Sequence, residues 1–181
     1  MLNYIFIDAE YAYACALREC GSLPNYKNIL DMVDSEFGKP EKVIYHVGSK
    51  QRKQGFLSFL GKLGVDYNVV FDFTRASKTQ LVGAAMAMDS MRICASEHVG
   101  KVRSFTFLTG DDYLIPIVID LKKYEPALSI SILYFHNIFS LDLQKVIAEY
   151  KIKTIKLGHK YFTFPKDDGD GHKNISAEIS K

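Results

Sequence analysis

Two apolar runs in this chain each end in acid, and acids that share an edge could do chemistry. Tyr4-Ile-Phe-Ile7 is followed at once by Asp8 and then by Glu10; Ser104-Phe-Thr-Phe-Leu-Thr109 leads into Gly110-Asp111-Asp112. Carboxylates held close together repel one another, and a hard divalent cation such as Mg2+ or Mn2+ relieves that repulsion through oxygen ligation. Plainer roles exist for the same residues. Asp111 and Asp112 suit the N-cap of a helix opening there. Asp8 closes a run that reads as buried, so its carboxylate requires a partner. A further acid, Asp89, breaks an apolar stripe formed by Ala85, Met86 and Ile93. It must be hydrogen-bonded, paired or metal-linked, and Arg92 on the next turn is the simplest partner.

Basic residues cluster where the next strands end. Lys50, Gln51, Arg52 and Lys53 open a helical stretch, and Arg75 and Lys78 fill a later loop. Cations at a helix start oppose the macrodipole. Phosphate binding would offset that cost, and a solvated charged turn is the ordinary alternative. Net charge is only +2, so the case for nucleic acid rests on position rather than composition. His46 and His136 also stand at strand ends and read as satisfied edge residues. Tyr11 and Tyr13 could stack on a base but read better as packing residues of a first helix.

The elements that must position these groups alternate almost from end to end. Strands are expected at Tyr4–Ile7, Val43–Val47, Val65–Phe73, Ser104–Thr109, Leu128–Phe135 and Thr154–Leu157. Helices are expected at Glu10–Cys20, from Pro24-Asn-Tyr-Lys-Asn to Phe37, Lys50–Leu63, Thr79–His98, Asp112–Lys123 and Leu141–Tyr150. Such alternation implies an α/β fold with a mostly parallel sheet and helices on both faces. Ligands in such sheets bind beyond the carboxyl ends of the strands, where strand order reverses. The acids and the basic stretches all fall at that edge.

The 181 residues fit one domain, expected over residues 1–160, with a polar, glycine-containing C-terminal tail over 161–181. Hydrophobic residues at 48% argue for a packed globule. Three cysteines without paired spacing point to a reducing compartment and away from disulfides or structural zinc. No secretory or membrane-spanning run is evident, so a cytoplasmic location is expected. Exposed edge strands leave room for a homodimer or a protein partner.

Three segments together resemble the NYN family, a branch of the PIN-like nucleases. They are Tyr4-Ile-Phe-Ile-Asp-Ala-Glu10, Leu81-Val-Gly-Ala-Ala-Met-Ala-Met-Asp89 and, most specifically, Leu108-Thr-Gly-Asp-Asp-Tyr-Leu-Ile-Pro116. The resemblance spans about residues 3 to 157. It implies a three-layer α/β/α sandwich of PIN-like (Rossmannoid) type and divalent-metal-dependent endonuclease cleavage of RNA, with Mg2+ or Mn2+ as cofactor. Asp8 and Asp111 would be metal ligands, Asp112 a substitute ligand, and Asp8, Asp111 and Asp89 the catalytic acids. Lys50, Arg52, Lys53, Arg75 and Lys78 would contact RNA. The sequence departs from the family pattern at three places: Tyr11 replaces an asparagine, and Gly83 and Tyr113 replace acids. Those departures leave open a second expectation, a catalytically impaired module that binds RNA or a protein partner.

Overall fold

A computed structural model describes residues 2–48, 58, 61–62, 65–70, 78–96, 102–135 and 139–163. Its centre is a six-stranded sheet built from β1 (Leu2–Asp8), β3 (Lys42–Gly48), β4 (Val65–Val70), β5 (Val102–Leu108), β6 (Ser129–Tyr134) and β7 (Lys153–Lys156). The order is β4-β3-β1-β5-β6-β7, and each neighbouring pair runs parallel. The chain lays strands outward from β1 on one side and then returns to β5 to build the other. The reversal therefore falls between β1 and β5, the place where α/β sheets open a crevice at their carboxyl edge.

Burial of β1 on both faces explains its unbroken apolar run. Ile5 and Ile7 face one core with Val43 and Tyr45, beneath α1 (Ala9–Cys20) and α2 (Tyr26–Phe37). Tyr4 and Phe6 face the other with Phe105 and Phe107, beneath α3 (Lys78–Cys94), α4 (Leu114–Tyr124) and α5 (Leu141–Glu149). Phe6 stacks against Phe107 at 5.0 Å and meets Phe105 edge-on at 5.1 Å. Two helix layers around one sheet make the expected three-layer α/β/α sandwich. Gly21 ends α1 in the left-handed conformation at φ 60°, its N–H turned back to Ala16 and Leu17 carbonyls. Glycine accepts that backbone without a Cβ penalty.

Most expected elements are present within a few residues. Helix α4 begins at Leu114 rather than Asp112, because Asp111 and Asp112 form a turn whose carbonyls accept the first helical N–H groups. A small antiparallel pair, β2 (Leu23–Pro24) with β8 (Phe162–Thr163), was not anticipated. It follows a short 3-10 turn at His159–Tyr161. Tyr161 and Phe162 are buried in the α1/α2 core, so the packed domain runs through Thr163 rather than stopping at 160. The expected helix over Lys50–Leu63 and residues 71–73 of the third expected strand lie outside the described residues, apart from 58, 61 and 62. No helix among the described residues is long and apolar enough to cross a membrane.

Candidate functional site

Asp8 ends β1 beside Leu108 of β5, since Ile7 pairs with Leu108 in register. Its side chain is buried and does two jobs. Oδ1 accepts from the N–H groups of Glu10 at 2.9 Å and Tyr11 at 3.0 Å, capping α1. Oδ2 accepts from the Tyr113 hydroxyl at 2.6 Å. Burial pushes the Asp8 carboxyl above the usual carboxylate range, against the pull of those three donors and of nearby His46.

Tyr113 stands where the resemblance leads one to expect an acid, and its setting gives it a structural role. The ring is half-buried and lies on Gly83 of α3, where an added Cβ would meet Tyr113 Cγ at 2.6 Å. No side chain larger than glycine fits at 83 while the ring is there. The single phenolic proton goes to Asp8, so the Thr109 hydroxyl, 3.1 Å away, donates to the Tyr113 oxygen. The Asp111 N–H in turn donates to Thr109 Oγ1 at 3.3 Å. Burial and the adjacent Asp8 charge hold the phenol well above its ordinary pKa. The group is a neutral hydrogen-bond donor at any physiological pH.

Asp111 belongs to the same cluster. Its carboxyl is pushed up to about 6, first by burial and then by the charges of Asp8 and Asp112. Asp112 is exposed and accepts a hydrogen bond from Ser140, the residue that caps α5 through Leu143 N–H. Asp89 sits elsewhere in the arrangement. Its Oδ2 lies 3.0 Å from His46 Nε2 and its Oδ1 3.3 Å from Arg92 Nη1. The Arg92 pairing follows from helical spacing. The His46 pairing crosses from β3 to α3; in sequence His46 reads as a satisfied edge residue, and only strand order brings it to Asp89. His46 pairs in register with Asp8 and is fully buried, with no partner for Nδ1 among the described residues. Asp89, accepting a hydrogen bond from His46 Nε2, thus orients a ring next to the acid cluster.

Tyr11 stands where the resemblance leads one to expect an asparagine. Its hydroxyl accepts from Phe135 N–H at 3.3 Å and sits where a Cβ on Gly110 would come within 2.6 Å. The Gly110 turn and Tyr11 are therefore fitted to each other. Tyr13 is exposed. Beyond Tyr113, away from Asp8, a groove of about 210 Å³ runs between α3 and α4, lined by Gly83, Ala84, Ala87, Met91 and Pro116.

The acids do not fit the divalent-cation site that the resemblance implies. Both Asp8 oxygens already hold protein donors, the Tyr113 ring occupies the space over Gly83, and among the described residues no three His, Cys, Asp or Glu side chains converge as a cation site requires. Of the expected RNA-contacting residues, Lys78 opens α3; Lys50, Arg52, Lys53 and Arg75 lie outside the described residues, as does His136. The ends of β3 and β4 stand in order beside the end of β1.

No family model matches the sequence, and no curated protein matches it. Among solved structures, the chain is similar in fold to a protein of unknown function from Vibrio parahaemolyticus. The TM-score is 0.71 at 11% identity, over 89% of this chain and 95% of that one. The chain therefore has an α/β/α sandwich fold.

Proposed function

We propose that this chain is a cytoplasmic NYN-type, PIN-like module that engages RNA along the carboxyl edge of its sheet and holds it without cleaving it. The observation that carries this reading is the order of strand ends. The acids of β1 and β5 meet at the point where strand order reverses, β3 and β4 come next in the sheet, and in sequence Lys50–Lys53 follow the first of these and Arg75–Lys78 the second. Lys and Arg neutralise phosphates whatever the base sequence, so the binding should weaken steeply with salt. The Tyr113 hydroxyl on Asp8 supports binding over turnover, because it satisfies the acid that hydrolysis would need open. Buried free thiols at Cys15 and Cys94 accord with a reducing compartment.

A second reading, a divalent-metal-dependent endoribonuclease, has one observation in its favour. Asp111 is crowded by Asp8 and Asp112, and such crowding is relieved by a proton or by a cation. Fluorescence anisotropy of labelled single-stranded and hairpin RNAs, in chelator and in Mn2+, separates the two. Binding unchanged by chelator with RNA of full length supports the first reading. Shortening of RNA that needs Mn2+ and is lost in Asp8→Asn and Asp111→Asn supports the second.

A further inference from the structure

Tyr113, in the turn that opens α4, and Gly83 of α3 are a matched pair thirty residues apart in sequence. The phenol ring rests on bare helix backbone because residue 83 has no side chain, and in that seat its hydroxyl reaches Asp8 Oδ2 at 2.6 Å. The Thr109 hydroxyl holds the phenol oxygen from the other side, and Thr109 is itself fully buried. A buried carboxylate needs compensation from an opposite charge or from hydrogen-bond donors. Asp8 has the second kind in full: two backbone N–H groups on one oxygen and a phenol on the other. A cation arriving there would have to displace a bond between a half-buried phenol and a buried acid, and then find room where the ring lies.

We propose that the Tyr113 hydroxyl, seated over Gly83, is a built-in substitute for a divalent cation at Asp8, which makes this acid cluster a metal-independent site. The inference assigns how the proposed RNA-binding edge is held together and rests on that reading for its setting alone; its test contains no RNA. Removing the ring reopens the space. Both positions border that space: a Cβ on residue 83 would meet the Tyr113 ring, and an aspartate at 113 is too short to refill it.

The test is Mn2+ titration of the full chain, read by loss of the free-ion signal in electron paramagnetic resonance. Wild type should take up no more Mn2+ than Asp8→Asn. The double variant Gly83→Asp/Tyr113→Asp should gain a site at least tenfold tighter than any in wild type, and adding Asp8→Asn should remove it. Tyr113→Ala, a milder opening of the same space, should bind Mn2+ more tightly than wild type if the double variant does not fold. Uptake by wild type that Asp8→Asn abolishes would overturn the proposal. So would a folded double variant, shown by circular dichroism, that binds no Mn2+. RNA binding that fails while these results hold would remove the RNA reading and leave the substitution intact.

Discussion

At the scale of single residues, the acid edge is governed by Tyr113 and Asp111. The phenol gives Asp8 a short, charge-assisted hydrogen bond in a buried setting. Bonds of that class contribute about 1.5–3 kcal/mol, so Tyr113→Phe should lower unfolding free energy by that amount in urea titrations, with the slope unchanged. Asp111 behaves in the opposite sense. Its folded pKa of about 6 lies above the unfolded value near ~4, so the folded state holds an extra proton between those limits. Stability then declines as pH rises through that window, and the ionised carboxylate is a net cost above it. Asp111→Asn should be more stable than wild type above pH 6 by on the order of 1 kcal/mol, less than the full linkage because the half-buried group is screened by solvent. The difference should vanish below about pH 4. Chemical denaturation at four pH values checks both ends. That Asp8 ends a buried strand could be read from Ile5, Phe6 and Ile7. That it caps α1 is equally legible, since Asp is a favoured N-cap directly before Ala9.

Between elements, the sequence could show that Gly83 and Tyr113 depart from a pattern but not that they touch. That contact depends on how α3 packs against α4, and helix packing is not written in local periodicity. It makes a prediction in the form of a double-mutant cycle. Gly83→Ala alone drives a Cβ into the ring carbon at 2.6 Å, and overpacking of this kind costs about 1–3 kcal/mol. In a Tyr113→Ala background the same change should cost nothing and gain up to about 1 kcal/mol from helix propensity. A coupling energy near zero would mean that the two helices do not meet there. The His46–Asp89 link was hidden for a similar reason. The stripe around Asp89 announced a partner, and Arg92 was visible at helical spacing, but His46 lies on a strand whose place in the sheet only the topology fixes.

For the whole molecule, alternation of strands and helices was enough to set the sandwich, because nearly continuous apolar runs such as Tyr4–Ile7 and Leu128–Phe135 require cover on both faces. The boundary at 160 was set by composition, and composition missed Tyr161 and Phe162, two aromatics that close the α1/α2 core just before the polar residues begin. Edge strand β7 carries Lys153 and Lys156, and Lys153 pairs with Glu36 at 2.9 Å while lying over the Phe37 ring. Charged side chains on an edge discourage pairing with another sheet, which turns attention from dimer formation to the carboxyl edge. The most direct test of the central claim is anisotropy of a labelled RNA with wild-type protein, repeated in chelator and in Mn2+, with the RNA run on a denaturing gel afterwards. The account predicts chelator-insensitive binding that falls with rising salt and leaves every RNA at full length. Absence of binding, or shortened RNA that appears with Mn2+ and disappears in Asp8→Asn, would contradict it.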